Sequence, residues 1–301
     1  MGARQSATRP VVWIPHPEGA GRLRGLPAEV TVFDGRSEPP PGIERVEFCV
    51  PGRPSPAMLA AIRRMSGLKV LQTLAAGVDG FLPALPAGVT LCNGRGIQTA
   101  AVAEWVLAAV LTMQREPGAP AARGRTRTLD GATVLIVGYG EIGAAVEARL
   151  VPFGCRVTRV ARTARPGVET VAALPGLLGA ADVVVSLLPR TPETGGLFDA
   201  AAFARMPDGA LFVNAGRGDA ADTEALTKAT GSGRLRAALD VTDPEPLPGD
   251  HPLRSTPGVL LSPHVAGQTT AFLPRAYDLV RAQIERHLAG APLANVVSKD
   301  Y

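Results

Sequence analysis

The sequence predicts an α/β protein organised around a doubly wound parallel sheet, and three observations carry that prediction. An apolar run of strand length, residues 133–137, ends directly in the turn Gly138-Tyr-Gly-Glu-Ile-Gly143, which opens a helical pattern over 141–150. Five further apolar runs, at 156–160, 182–187, 210–213, 235–240 and 259–261, recur at the spacing of strands joined by crossover helices. Before them, residues 1–95 alternate short apolar runs with Pro- and Gly-rich turns, the pattern of a smaller α/β unit.

In the smaller unit the strand-like runs are 11–14, 30–33, 46–50, 70–74 and 89–92, with one helical pattern at 56–65. Residues 99–114 are Ala-rich and apolar and read as a buried helix that joins the two parts, stopped by Glu116-Pro117-Gly118. A loop over 117–128 then leads into the run at 133–137. In the turn that follows, Gly138 permits the tight bend, Gly140 lets backbone approach a pyrophosphate, and Gly143 lets the helix pack close to its strand. The helix N-terminus then faces the phosphates. The run at 156–160, after Gly154, closes a β-α-β unit, so the glycine turn sits where a dinucleotide site requires it. Six parallel strands suffice for a complete dinucleotide fold. The last helical pattern, 273–289, is long enough to return to the first unit, which makes that unit discontinuous. The expected domains are 1–96 with 274–301, and 97–273.

Composition narrows the function classes. With 301 residues and 46% hydrophobic residues, the chain is long enough for two sizeable cores. No apolar run approaches the ~18 residues of a membrane span, and residues 1–9 lack the apolar middle of a secretory signal, so a cytoplasmic protein without a membrane partner is expected. The net charge of +4 comes from scattered arginines, with lysine only at Lys69, Lys228 and Lys299. That distribution reads as compositional bias, not as a nucleic-acid face. Cys49, Cys92 and Cys155 are widely spaced and lack a metal-ligand pattern, so they read as buried free thiols and no metal is expected.

In a doubly wound sheet ligands bind beyond the carboxyl ends of the strands. Asn214-Ala-Gly-Arg-Gly218 follows one late strand, Thr242-Asp-Pro-Glu-Pro246 the next, and Ser262-Pro-His-Val-Ala-Gly267 the last. Taken singly, Arg217 reads equally as a solvated loop charge, Glu245 as a surface turn residue and His264 as a satisfied loop histidine. At successive strand ends beside a dinucleotide turn, the three together read as a catalytic set.

These stretches, with Leu187-Leu-Pro-Arg-Thr-Pro-Glu-Thr194, Leu211-Phe-Val-Asn-Ala-Gly-Arg-Gly218 and Asp240-Val-Thr-Asp-Pro-Glu-Pro-Leu247, resemble the D-isomer-specific 2-hydroxyacid dehydrogenases over nearly the whole chain. The resemblance implies hydride transfer between nicotinamide and C2 of a 2-oxo or 2-hydroxy acid, in a cleft between a dinucleotide domain and a smaller, discontinuous, flavodoxin-like substrate domain. It implies His264 as the proton donor, Glu245 as the partner that fixes its tautomer and stabilises the imidazolium, and Arg217 as a fork of donors to the substrate carboxylate and carbonyl. Charge stabilisation of this kind is worth ~3 to 4 kcal/mol per donor. Backbone N–H groups of Gly77 and Val78, beside Ala76 in Leu74-Ala-Ala-Gly-Val-Asp79, are the implied second hold on the carboxylate. The cofactor would lie along Gly138, Tyr139, Gly140, Glu141, Ile142 and Gly143, with Leu188, Pro189, Thr194, Ala215, Gly216, Asp240 and Gly267 lining the rest of its path. Arg95, in the loop Asn93-Gly-Arg-Gly96, is open between a second anion contact and simple exposure. Trp105 and Phe81 read as core.

An NAD site carries Asp or Glu at the end of its second strand, ~20 residues past the glycines, to bind the ribose 2′-hydroxyl. Here the strand ends at Ala161 and is followed by Arg162-Thr163-Ala164-Arg165. Loss of the carboxylate removes repulsion of a 2′-phosphate, and Arg162, Thr163 and Arg165 supply attraction. NADP(H) is therefore the expected cofactor, with NAD left open as a second. The small residues Ala75, Ala76 and Gly77 suit a small acid such as glyoxylate or hydroxypyruvate, reduced in preference to being formed. Formate or phosphite oxidation on the same scaffold is a rival, although phosphite enzymes carry a basic residue in the Ala75-Ala76 segment. A weakly catalytic, dinucleotide-sensing binding protein is the rival from another class. A homodimer is implied by the resemblance, but the stretch over 115–130 is short and lacks the family's tryptophan-containing segment.

Overall fold

The computed structural model describes residues 9–115 and 126–297. The chain divides into two units, Met1–Gln98 with Thr270–Tyr301, and Thr99–Thr269. The breaks fall at 98/99 and 269/270, where the sequence reading places them at 96/97 and 273/274. Thr99 opens the first helix of the second unit, and the turn entering the C-terminal helix keeps its contacts with the first. The helix stop at Glu116-Pro117-Gly118, most of the loop over 117–128 and most of the short stretch over 115–130 lie outside the described residues.

The first unit is a five-stranded parallel sheet of β1 (Val11–Ile14), β2 (Glu29–Val32), β3 (Val46–Cys49), β4 (Val70–Gln72) and β5 (Thr90–Cys92). Its order, β2-β1-β3-β4-β5, is the flavodoxin type. Side chains alternate across the strands: Val11 and Trp13 enter a core with Met58 and Ile62, while Val12 and Ile14 enter another with Tyr277, Val280 and Ile284. Two helices on the chain's first part frame this sheet, α1 (Pro17–Arg22) and α2 (Pro56–Arg64). The second starts where Ser55 accepts the Met58 N–H at 3.1 Å, with Pro56 at its first position. The sequence reading contains no α1, because Pro-Glu-Gly-Ala-Gly-Arg has no apolar period. The helix rests on a tertiary contact: a Cβ at Gly19 would lie 2.1 Å from ring carbons of Tyr277, in the C-terminal helix Phe272–Leu288.

The second unit opens with α3 (Thr99–Arg115) and β6 (Thr133–Val137), followed by α4 (Glu141–Leu150), β7 (Arg156–Ala161), β8 (Glu169–Thr170), α5 (Leu174–Leu177) and β9 (Val183–Ser186). It continues with α6 (Ala200–Arg205), β10 (Leu211–Asn214), α7 (Thr223–Gly231), β11 (Arg236–Leu239) and β12 (Val259–Leu261). The sheet is seven-stranded and parallel, in the order β12-β11-β10-β9-β6-β7-β8. Six strands were expected; β8, two residues long, is too short to show any periodicity. Helices cover both faces. Val134 and Ile136 of β6 meet Val106 and Val110 of α3, and Leu135 and Val137 meet the side that holds Phe203 and Leu226. The strand order turns back between β6 and β9, which puts the ligand-binding rim at the carboxyl ends beside that reversal.

Phe81 is buried in the first unit and Trp105 packs against a core cluster of the second. All three cysteines are free and buried. Among the described residues, no helix is long and apolar enough to cross a membrane, and no group of His, Cys, Asp or Glu side chains is placed to hold a metal ion.

Candidate active site

The glycine turn is shaped by two different demands. Gly138 has φ +99°, and a Cβ there would lie 2.7 Å from the Leu187 carbonyl, so both conformation and space require glycine. Gly143 is close to β6, where a Cβ would meet Ile136 Cγ2 at 3.3 Å. At Gly140, which caps α4 without any side-chain cap, a Cβ would meet no protein atom within 4 Å. The chain's own packing therefore does not demand glycine at 140, whereas a pyrophosphate approaching the helix N-terminus does. Glu141 is exposed and Ile142 packs against the core.

At the ribose end, β7 stops at buried Ala161, and Arg162, Thr163 and Arg165 follow on an exposed turn. No carboxylate stands at the strand end. Arg165 donates from Nη2 to the Tyr139 carbonyl at 2.5 Å and lies over the Tyr139 ring. The Tyr139 phenol turns to the Glu147 carboxylate, which also takes both Nε and Nη2 of Arg159. Glu147 and Arg159 belong to no motif and were missed by sequence reasoning. The available signal was a carboxylate in the core-facing stripe of α4, at 147 between buried 143, 146 and 150. Glu193 was missed as well. It is an exposed carboxylate whose charge interacts with Arg162, and its hydrogen bond to Thr191 is the main influence holding its carboxyl below the usual range.

The late strand ends are stitched to one another by glycines. A Cβ at Gly216 would lie 2.6 Å from the Leu188 carbonyl, and one at Gly218 would lie 2.0 Å from the Thr242 carbonyl. The loops after β9, β10 and β11 consequently lie against each other, and an Arg190–Asp219 ion pair at 2.8 Å adds a tie. Within the middle loop, buried Asn214 accepts the Gly216 N–H at 3.1 Å and donates to the Arg217 carbonyl at 2.9 Å. Arg217 is half-buried and donates from Nη1 to the Gly216 carbonyl at 3.0 Å.

After β12, buried Asp240 organises the loop that carries the histidine. Its carboxylate accepts the Ser262 hydroxyl at 2.6 Å and the N–H groups of Val265 and Ala266 at 2.9 Å each. Its carbonyl accepts the His264 N–H at 2.8 Å. His264 takes φ 55°, a left-handed conformation uncommon for a side chain of its size. The Glu245 loop is closed by Thr242 Oγ1 to the Pro244 carbonyl and by Thr223 Oγ1 to the Asp243 carbonyl. The two loops meet at His264 Nδ1 and Glu245 Oε1, 2.6 Å apart.

Other residues of the expected cofactor path are placed with more restricted offers. The Leu188 side chain is in the core and leaves only its backbone on the rim, beside exposed Pro189. The Thr194 hydroxyl donates to the Pro189 carbonyl and receives the Thr191 N–H, so it closes its own loop. Asp240 spends both carboxylate oxygens on the histidine loop. Ala215 is half-buried and Gly267 is buried at the end of that loop.

In the first unit, Ala75 and Ala76 are exposed, Gly77 half-buried and Val78 fully buried. The carbonyl of Ala75 accepts from Gly94 N and Thr73 Oγ1, and that of Ala76 from Asn93 Nδ2. A Cβ at Gly94 would lie 2.4 Å from the Leu74 carbonyl carbon, so this loop and the Asn93–Gly96 loop share one rigid surface. Arg95 is exposed, with its backbone held by Asn93 and Asn295.

The second unit thus combines an anion-binding turn, a carboxylate–imidazole pair and a guanidinium on adjoining strand-end loops. The model of the NAD-binding domain of D-isomer-specific 2-hydroxyacid dehydrogenases matches residues 106–266, more than half of the chain. The chain belongs to the D-isomer-specific 2-hydroxyacid dehydrogenase family. It is therefore an NAD(P)-dependent oxidoreductase acting on the CH–OH group. A glyoxylate/hydroxypyruvate reductase B of Citrobacter koseri is 38% identical over 232 residues, covering 70% of this chain and 72% of that one. A mitochondrial formate dehydrogenase of Solanum tuberosum is 31% identical over 85% of this chain and 73% of its own length. Among solved structures of the family, the NADPH-dependent glyoxylate/hydroxypyruvate reductase of Sinorhizobium meliloti, in complex with NADP and sulfate, superposes with a TM-score of 0.82 at 31% identity, covering 97% of this chain and 99% of that one.

Proposed function

We propose that this dehydrogenase is an NADP(H)-dependent, D-specific reductase of a small 2-oxo acid such as glyoxylate or hydroxypyruvate. The observation that carries the catalytic reading is the 2.6 Å contact of His264 Nδ1 with Glu245, on the loop next to the one bearing Arg217. An ionised carboxylate only accepts, so Nδ1 is the donor in this pair and Nε2 is left to carry the second proton of the imidazolium.

A nicotinamide cofactor, seated at the glycine turn over 138–143, would supply the hydride that C2 of the 2-oxo acid accepts. His264 Nε2–H gives its proton to the C2 oxygen as charge develops there, and Nδ1–H remains with Glu245, whose carboxylate stabilises the charged ring beforehand. Arg217 binds the substrate carboxylate and polarises the carbonyl with the same planar fork. For the first unit, the N–H groups of Gly77 and Val78 are proposed as carboxylate donors on the resemblance alone. Gly138, Gly140 and Gly143 would seat the pyrophosphate, and Arg162, Thr163 and Arg165 the 2′-phosphate.

The cofactor assignment is supported by the absence of an acid at the end of β7 and by the NADP bound to the Sinorhizobium meliloti relative. The Citrobacter koseri relative supports the small acid. The test is consumption of NADPH and NADH with glyoxylate, hydroxypyruvate, pyruvate and a bulky 2-oxo acid. Turnover with NADPH on the small acids is expected; none with any acid would overturn this reading and favour a dinucleotide-sensing protein. Arg162→Asp with Arg165→Ala is expected to move efficiency toward NADH, and an unchanged ratio would overturn the NADP(H) assignment. A homodimer, proposed on resemblance alone, is tested by light scattering of the purified chain.

A further inference from the structure

Glu147 is a carboxylate with 9% exposure on the core-facing side of α4, a placement that costs free energy unless the charge is fully paired. Its pairing is complete and reaches outward. Arg159 of β7 meets it with two donors, and the Tyr139 phenol donates to the same oxygen that takes Arg159 Nε. The ion pair holds the Glu147 carboxyl below its usual range, chiefly through the Arg159 hydrogen bond, and the bond to Glu147 pushes the Tyr139 phenol up, so the phenol remains a donor.

Two further contacts lead from this trio to the turn after β7. Arg159 Nη1 donates to the Gly167 carbonyl at 3.4 Å, on the turn closed by the Arg165–Val168 bridge. Arg165 returns from that turn to the Tyr139 carbonyl at 2.5 Å, with its guanidinium carbon 5.6 Å from the Tyr139 ring centroid. Arg159 also lies over this ring, at 5.6 Å, and Glu147 offsets its charge. An exposed arginine otherwise loses rotamer entropy when a ligand fixes it. Here the ring and the carbonyl hold the fork beside the glycine turn before any ligand arrives.

We propose that Tyr139, tethered by Glu147 and Arg159, is the positioning residue that makes Arg165 a ligand for a ribose 2′-phosphate and so sets the preference for NADP(H) over NAD(H). The proposal rests on the NADP(H) reading given above. Its distinctive consequence is selectivity: a residue that merely supported the glycine turn would serve both cofactors equally, since both present the same pyrophosphate.

The test is calorimetric titration of the purified protein with NADPH and with NADH. Tyr139→Leu is expected to weaken NADPH about fivefold more than it weakens NADH, and Tyr139→Phe, which retains the ring but gives up the Glu147 hydrogen bond, to recover only part of that difference. In an Arg165→Ala background, Tyr139→Leu is expected to add nothing further to the loss for NADPH. Equal weakening of both cofactors by Tyr139→Leu, no weakening of either, or a full additional loss in the Arg165→Ala background would each overturn the proposal. If Arg162→Asp with Arg165→Ala leaves the ratio unchanged, the NADP(H) reading itself falls; if that variant shifts the ratio and Tyr139→Leu does not, only the role of Tyr139 falls.

Discussion

Nδ1 of His264 and Oε1 of Glu245 lie 2.6 Å apart although the two residues leave different strands and their side chains are 50% and 42% exposed. Such a pair contributes little to stability, because solvent screens it and ordering two side chains opposes it. In the proposed reaction its value is in orientation and in stabilising the imidazolium. His264→Gln is expected to lower kcat/KM for the 2-oxo acid by about 10²–10⁴-fold, and Glu245→Gln by less, with thermal midpoints unchanged. Steady-state kinetics with NADPH decide the point; a His264→Gln enzyme of undiminished kcat/KM would remove His264 from the reaction.

Gly140 and Gly218 are expected to respond differently to alanine. At Gly218 a Cβ would lie 2.0 Å from the Thr242 carbonyl, backbone against backbone, so Gly218→Ala must displace a strand-end loop and cost about 1–3 kcal/mol or more. At Gly140 the added methyl meets no protein atom. Gly140→Ala should therefore melt like the parent protein yet bind NADPH poorly, as read by thermal denaturation beside calorimetric titration. A Gly140→Ala protein with parental affinity would show that no cofactor pyrophosphate approaches that residue.

Asp240 accepts three hydrogen bonds within the histidine loop. Asparagine can offer only one oxygen, so Asp240→Asn leaves a buried N–H facing a donor, at a cost of about 1–3 kcal/mol. The expected outcome is a lowered thermal midpoint together with a lowered kcat, because the left-handed His264 is held by the same loop. Unchanged stability in denaturant titration would contradict this account.

The first unit is expected to lose stability on mild acidification. Burial lowers the pKa of His16 and of His287 below the ordinary 6.5, against opposing contributions from Glu18 and Glu47. The unfolded chain then binds more protons than the folded one below pH 6.5, so stability is full above that value and declines as pH falls toward the folded pKa values. Thermal midpoints measured between pH 7.5 and 5.5 should fall with pH, and His287→Phe, beside Phe48, should flatten part of that slope. A midpoint that rises on acidification would reverse the sign of this prediction.

Much of the fold was legible because its signals are local. The apolar runs of β6, β7, β9, β10, β11 and β12 are visible residue by residue, and the glycine turn follows its strand without a gap. Arg217, Glu245 and His264 could be singled out because each lies within a few residues of a strand end in a sheet whose ligand side is known in advance. The short elements were not legible. Helix α1 has no period of its own and depends on Tyr277, and β8 has two residues that pair only because β7 is beside them.

By itself, then, the sequence determined the two α/β units, the dinucleotide turn and which residue types crown the late strands, since each depends on a period of two or 3.6 residues and on glycine at fixed offsets. Only the tertiary structure decided that Asp240 holds the histidine loop, that the pairing of Glu245 with His264 implied by the resemblance is made at Nδ1, and that Glu147 binds Tyr139 and Arg159 into one network behind Arg165. The last two join residues 19 and 12 positions apart, from different elements. Contacts of that kind arise from how strands and helices pack, and no local pattern in the chain encodes them.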